Sequence, residues 1–417
     1  MYLAIRMTKP TRRTSILFHI VEFNEGGIES SLLQWLKIYD RREFDVSLSV
    51  MFTSPAFENH YRALIPADVK LEMLVDRPWL NYFQARRHAN RLGKPGRVAR
   101  DVFNSLAVRP YVTRRLAALA RQHDVIVDFD MSLRRWAGRF DIAWLGVNHF
   151  SFDARLGHRP RKAKRLSRQY ARYDAVVALN EQMAAEATSM FGDTLQRLFV
   201  LPNAIDVDGI RASANAAEAP RAPCSAPYIV SVARLDEYQK DHGTLLQAYA
   251  QLLREVDVPE HLVIAGDGGS RQALQARAAE LGIAARVHFV GHVDNPHALV
   301  AGASLFVLSS RFEGMPMGLL EALTHGKAIV ATDCPTGPRD ILDNGRFGIL
   351  VPVSDTAAMT EAFRNLLTVE TLRHELSSKA FARAQYYGIE ESNKRFAACV
   401  ATARGARGEP AIATAAR

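Results

Sequence analysis

The feature that most constrains this chain is a rhythm that runs along it twice. Short β-rich runs alternate with longer amphipathic helical stretches, and the alternation stops once and then restarts. That is the pattern of βαβ units, whose strands pair in parallel and whose crossover helices cover the sheet. In the first half the strands read as 15–21 (SILFHIV), 45–52 (DVSLSVMF), 125–129, 142–147, 175–179 and 198–201. Residues 212–227, ASANAAEAPRAPCSAP, have no periodic apolar face and read as a linker. The second half resumes with strands at 228–232, 262–265, 287–290, 304–308, 328–331 and 348–351, and with helices that include 243–254 and 271–281. A chain of 417 residues is too long for one ordinary core. The expected fold class is therefore α/β, with two Rossmann-like doubly wound domains facing a central cleft, at 1–206 and 227–385, joined by a linker at 207–226. Open α/β sheets bind ligands at the carboxyl ends of their strands, so both domains should present loops to that cleft. The Ala/Arg-rich tail, 404–417, reads as disordered.

Charge divides along the same line. Residues 1–210 hold 32 Lys and Arg against 22 Asp and Glu, whereas residues 211–417 hold 21 against 22. The basic clusters fall at Arg86–His88, Arg91–Arg100, Arg109–Arg121 and Arg155–Arg172. A solvated helix face accounts for any one of them, but their confinement to one half points to an anionic partner, such as a membrane surface or a phosphorylated substrate. No apolar run approaches the ~18–20 residues that cross a bilayer, and the basic start is followed by no signal-peptide core. Cys224, Cys334 and Cys399 are odd in number and scattered, which argues against a disulfide framework or a metal knuckle. A cytoplasmic protein, peripheral on the inner face of the membrane, is the expectation.

The densest chemistry lies at residues 304–342, SLFVLSSRFEGMPMGLLEALTHGKAIVATDCPTGPRDIL. A buried strand runs through Ser309–Phe312 into Glu313-Gly314, and Pro316 opens a helix, where its missing N–H had no partner to lose. The free N–H groups of that first turn and the helix dipole favour an anion. Glu321 follows Glu313 by eight residues, so two carboxylates could grip the two ends of an elongated ligand. Spacing alone does not distinguish that from two exposed glutamates.

The surrounding residues do. Ser231–Leu235 with Lys240, the turn Ala265–Gly268 with Arg271, the run Phe289–His292 with Asn295, Gly26-Gly27 after the first strand, and Pro202–Asp206 together resemble the retaining GT-B glycosyltransferases of family 4, the glycosyl transferases group 1. The resemblance spans roughly residues 15–400 and is most specific from 228 to 352. Asn180-Glu181 stands where the family often has Ser-Glu. The resemblance implies that Arg234 and Lys240 hold the donor's diphosphate, that Glu321 accepts the ribose hydroxyls, and that Glu313 binds the transferred sugar. It also implies backbone donors at Gly314, Met315 and Met317, an open approach at Gly26 and Gly27, and donor contacts from Gly266, Asp267, Gly268 and Val290. His149 matches the family's active-site histidine, while His19, in mid-strand, reads as packed. A last helix, 386–403, is implied to cross back to the first domain.

GDGGSR, at 266–271, lacks the final glycine of the dinucleotide fingerprint, and no Asp-x-Asp or His/Cys cluster suggests a metal. The donor is then a substrate, with no cofactor and no metal expected. The run Asp333–Arg339 resembles members that use UDP-hexoses or UDP-N-acetylhexosamines, with GDP-mannose the other donor. The acceptor expected for a basic first half is a lipid-linked or membrane-associated glycan of bacterial surface polysaccharide assembly. A nucleotide-sugar epimerase of the same architecture would need no basic acceptor face. A nucleic-acid-binding scaffold would leave Arg234, Lys240, Glu313 and Glu321 without a purpose, so no nucleic acid is expected.

Overall fold

The computed structural model describes residues 12–24, 26–88, 93–156, 159–216 and 222–405. Two parallel sheets form. The first has seven strands: β1 (Thr14–Ile20), β2 (Phe44–Val50), β3 (Lys70–Met73), β4 (Val125–Asp128), β5 (Ala143–Asn148), β6 (Ala175–Ala178) and β7 (Leu198–Val200). The second has six: β8 (Tyr228–Val232), β9 (His261–Ala265), β10 (Val287–Gly291), β11 (Leu305–Leu308), β12 (Ile329–Thr332) and β13 (Ile349–Val351). Their orders are 3-2-1-4-5-6-7 and 10-9-8-11-12-13. The central strands are buried along their whole length because helices cover both faces, which is why VIVD, AVVA and LFVL read as apolar runs without alternation. Helices start where the chain supplies an oxygen: Asn180, Asp206 and Asp355 accept from the N–H groups of Met183, Gly209 and Ala358.

Each sheet reverses its winding once, between β1 and β4 and between β8 and β11. Adjacent strands feed loops to opposite sides at such a point, which opens a crevice at their carboxyl ends. The loops beginning after Ile20, Asp128, Val232 and Leu308 are therefore the ones placed to build a site.

Three differences from the sequence reading have plain causes. β3 had no strand signal because KLEM is a short edge strand whose Lys70 and Glu72 pair at 2.7 Å. Pro316 is not inside the helix but caps it, with ψ 112°, and the helix proper is Met317–Thr324. Within the stretch read as linker, Val207–Ala214 is helical, since Asp206 caps it and Val207 and Ile210 are buried. Residues 217–221 of that stretch lie outside the described residues, as do 406–417 of the expected tail, whose Arg404 and Gly405 complete the last helix.

That last helix, Ile389–Gly405, packs on β5 and β6 of the first domain. Phe396 anchors it in an aromatic cluster, with ring centroids 5.1 Å from Trp35, 5.4 Å from Phe44 and 5.8 Å from Phe18. Asn393 bonds the main chain at Asp40 and Ile38, at 2.9 and 2.7 Å. The chain thus ends by tying the second domain back onto the first. Among the described residues no helix is long and apolar enough to cross a membrane, and the three cysteines are free.

Candidate active site

A cavity of about 920 Å³ lies between the two switch points. Its lining brings together Gly26, Gly27, His149, Arg234, Lys240 and Glu313, joined by Gly266, Asp267, Gly314, Met315 and Met317. Gly268, Val290 and Glu321 are not in that lining.

The second-domain wall is braced at every step. Lys240 Nζ lies 2.6 Å from Glu313 Oε1, which also accepts from Ser310 Oγ at 2.6 Å. Both partners are largely buried, so the pair is shielded from solvent. Asp241 holds the adjoining backbone in the left-handed region, φ 48°, which costs a non-glycine residue energy and needs anchoring. The anchors are Arg311, at 2.6 Å, and Ser354 Oγ, also at 2.6 Å. Ser309 Oγ donates to the Lys240 carbonyl at 2.7 Å, and Arg311 N donates to the Gln239 carbonyl at 2.7 Å. The loops after β8 and β11 are in this way sewn to each other. Arg234 stands apart, exposed to the cavity, with only Gln239 Oε1 at 3.4 Å beside it and no ion pair among the described residues.

The glycines do different work. A Cβ on Gly266, at φ 142°, would sit 1.9 Å from the Ala233 carbonyl oxygen, and one on Gly268, at φ 159°, 2.5 Å from that of Leu235. No L side chain fits either place. The turn docks there through Ala233 N to Ala265 O, 3.0 Å, and Leu235 N to Asp267 O, 2.9 Å. Gly268 therefore supports the Arg234 loop from behind. Gly27, by contrast, has nothing within 4 Å of a built Cβ and faces open cavity.

On and behind the first-domain wall, burial shifts the pKa values of several titratable groups toward their neutral forms. His149 is buried against Phe129, with ring centroids 4.6 Å apart. Burial lowers its pKa to about 3, against a backbone hydrogen bond to Phe129 that raises it. Its Nε2 is buried and has no hydrogen-bond partner among the described residues, in a residue that lines the cavity. His19 is fully buried, with Nδ1 2.8 Å from Ser49 Oγ. Asp128 ends β4 buried, accepting from Tyr173 OH at 2.5 Å and Leu133 N at 2.8 Å, with Asp130 beside it. Burial first, then neighbouring Asp130, pushes its pKa well above the carboxylate range. Glu29, in the first turn after Gly26-Gly27, accepts from Asn24 N at 3.0 Å, and burial raises its pKa to about 7.

Glu29, Asp128 and Asp130 were missed in the sequence. A usable signal existed for two of them: VIVDFD places acids at the carboxyl end of an otherwise apolar strand, beside the switch point. His19, Asp128 and Asp130 put one ligand atom each within 4.8 Å of one another, and Cys224, His261 and His288 do likewise at the far ends of β9 and β10.

Glu321 sits half-buried in the helix Met317–Thr324. Burial raises its pKa and His297 opposes that, and no hydrogen bond or ion pair reaches its carboxylate among the described residues.

The two domains also touch across the cleft. Asn180 Nδ2 donates to the Gly314 carbonyl at 3.1 Å, and Asn203 Nδ2 to that of Met315 at 3.3 Å. A Cβ on Gly314 would lie 2.0 Å from the His149 carbonyl oxygen. Gly314 is therefore what lets the loop bearing Glu313 close on the histidine strand.

Residues 25–208 match the family model Glycosyltransferase Family 4, and residues 226–369 match Glycosyl transferases group 1. Both halves of the chain are glycosyltransferase domains. Over 222 residues these domains are 30% identical to N-acetylgalactosamine-N,N'-diacetylbacillosaminyl-diphospho-undecaprenol 4-alpha-N-acetylgalactosaminyltransferase of Campylobacter jejuni, covering 53% of this chain and 58% of that one. Over 157 residues they are 30% identical to the lipopolysaccharide core biosynthesis glycosyltransferase LpsE of Rhizobium meliloti, covering 38% and 44%. The chain thus spans about half the length of these curated relatives. Anabaena HepE, solved in complex with UDP, superposes with a TM-score of 0.71 at 17% identity, covering 93% of this chain and 100% of that one. At that identity the likeness shows the fold, the GT-B arrangement of two α/β domains about a cleft.

Proposed function

We propose that this glycosyltransferase chain is a retaining enzyme that moves a hexose or N-acetylhexosamine from a UDP-sugar to a lipid-linked or membrane-associated glycan in bacterial surface polysaccharide assembly. The observation that carries the reading is the meeting of a free Arg234 and the Lys240–Glu313 pair with the side-chain-free Gly26-Gly27 loop in one cavity. Fixed cations in a closed cleft stabilise a departing nucleoside diphosphate, the largest electrostatic need of glycosyl transfer, and they do so without a metal. Donor phosphates that draw Lys240 toward themselves would free Glu313 Oε1 for a sugar hydroxyl. His149 Nε2, buried beside the cavity with no partner among the described residues, would accept from a second hydroxyl of the same sugar once the bound donor uncovers it. The UDP preference draws on Anabaena HepE, solved with UDP and with UDP-glucose, and the acceptor class on the diphospho-undecaprenol substrate in the Campylobacter relative's name. Same-face transfer, with the leaving phosphate helping to deprotonate the acceptor, is the route this reading takes. The basic first domain is assigned to the anionic membrane that would hold such an acceptor.

Purified protein is screened against UDP-glucose, UDP-galactose, both UDP-N-acetylhexosamines and GDP-mannose by thermal shift and turnover, with Glu321→Ala in parallel. Stabilisation by one UDP-sugar, weakened in the variant, and UDP release that needs an acceptor are the expected results. UDP-sugar interconversion without acceptor would identify an epimerase, and a β-linked product from an α-linked donor would overturn retention.

A further inference from the structure

A second concavity, of about 390 Å³, lies in the first domain and shares no lining residue with the cleft. Six arginines wall it: Arg109, Arg135, Arg139, Arg165, Arg168 and Arg172. They come from three separate elements, namely the helix Arg109–Ala120, the turns after β4, and the helix Pro160–Tyr170 with the turn that follows it. Trp136 is part of the same wall, its indole N–H donating to Thr113 Oγ1 at 2.8 Å. Among the described residues none of the six arginines is ion-paired with a carboxylate, although Arg100, Arg115 and many other arginines of this domain are.

A solvated basic helix spreads its charges outward, where each meets water and salt. Here folding gathers like charges from three elements around one hollow, against their mutual repulsion. Burial first, and then the charges of Arg109, Arg134 and Arg165, pull the Arg135 guanidinium below its ordinary pKa. Asp101 is the acid that opposes this, and Arg100 engages it at 2.9 Å. Among the described residues no carboxylate lines the hollow, and its size falls within the ~300–1,000 Å³ of small-molecule sites. Guanidinium forks match phosphate oxygens in bidentate fashion, and several of them around one hollow suit a multiply charged anion.

We propose that this pocket is a second anion site that binds phosphate groups, as a soluble diphosphate or as the phosphate of an anionic lipid headgroup, separately from the donor cleft. The site stands whether or not the cleft transfers sugar; only its lipid form rests on the membrane-surface reading above.

Inorganic pyrophosphate is titrated calorimetrically into the full chain, into Arg135→Gln/Arg165→Gln and into Arg234→Ala. Arg135 and Arg165 are exposed, so the double variant should keep its melting temperature. Binding that survives Arg234→Ala and weakens about tenfold or more in the double variant is expected. Unchanged binding in the double variant, or abolition by Arg234→Ala alone, would overturn the proposal. Sedimentation with phosphatidylglycerol and phosphatidylcholine vesicles then separates the two sources. Phosphatidylglycerol binding lost in the double variant and displaced by pyrophosphate assigns the lipid, whereas pyrophosphate binding without it assigns a soluble ligand. Capture of a single-stranded oligonucleotide with no pyrophosphate binding would replace the proposal with nucleic acid. A wild type that binds pyrophosphate at this pocket and yet turns over no donor would fail the transferase reading alone.

Discussion

The two walls of the cleft occupy equivalent positions of two similarly wound sheets, and they solve opposite electrostatic problems. On the second-domain wall the charges are present and fixed: Lys240 on Glu313, Asp241 on Arg311, and Arg234 open to the cavity. On the first-domain wall and just behind it the titratable groups are buried and shifted toward their neutral forms, His149 on the wall and His19 behind it to about 3, and Glu29 behind it to about 7. A charged wall suits a diphosphate, and a neutral, dry wall suits the hydroxyls and the transferred sugar, since low dielectric strengthens the hydrogen bonds made there. The comparison teaches that a two-domain cleft need not share its chemistry evenly. One domain can hold the anion rigidly while the other excludes water from the reacting end.

The sharpest way to break this division is to remove charge from the braced wall. Lys240→Met should lower donor turnover by about 10²–10³-fold, the range for losing one preorganised charge-stabilising donor. It also leaves Glu313 buried with Ser310 but no cation, so a drop in melting temperature should accompany it. Turnover within a few fold of wild type would mean that Lys240 braces Glu313 and does nothing for the donor. Next in size is the joint between the walls. Gly314→Ala sets a methyl 2.0 Å from the His149 carbonyl, so the domains must part. A turnover loss of roughly 10²-fold with unchanged circular dichroism is expected, because a misplacement of about 1 Å can cost that much. Gly27→Ala is the control for apo stability, its Cβ meeting nothing within 4 Å.

How far these walls could be read from sequence depended on whether the cause was local. The second-half strands were legible to within about a residue because their apolar runs are bounded by turn residues; β8 is such a case. Arg234, Lys240 and Glu313 were legible through their surrounding motif. The reason Gly266 and Gly268 must be glycine was not, because it lies in the carbonyls of Ala233 and Leu235, on a different strand's loop. Nor was the left-handed Asp241, whose strain is held by Arg311 and Ser354 from two other elements. Glu29 looked like an ordinary first-turn helix acid, and only tertiary burial makes it a group that titrates near neutrality. The arginine clusters were visible as charge, but their convergence on one hollow is a property of the fold.

The first wall can be tested through pH. His149 stays neutral in the folded protein down to about 3, whereas the unfolded chain takes up that proton near 6.5. Its folded pKa is depressed, so the stability it confers is complete above 6.5 and is lost as pH falls toward 3. His149→Gln removes this linkage. The melting temperature of wild type relative to the variant should therefore fall steadily between pH 7 and pH 4. A constant difference across that window would show that the imidazole is hydrated and that the wall is not dry.

The smallest effect, and the one that bears most directly on neutrality, concerns Glu29. Its pKa is raised from 4.5 to about 7, chiefly by burial. The sign is the reverse of His149: the folded state favours the protonated acid, so stability is full below 4.5 and is lost as pH rises through 7. Glu29→Gln mimics the protonated form and can still accept the Asn24 N–H at Oε1. At pH 5.5 the variant should melt close to wild type, since both then present a neutral side chain that accepts the Asn24 N–H. At pH 8.5 it should be the more stable protein, because wild type then buries a carboxylate that Arg234 offsets only in part. Added UDP-sugar separates two causes of that gain. If donor phosphates occupy Arg234, they withdraw the cation that helps Glu29 ionise, and the advantage of the variant at pH 8.5 should widen. An advantage that narrows with donor would mean that the ligand reaches Glu29 itself and is held better by the carboxylate, which would move a binding role onto the wall assigned here to neutrality.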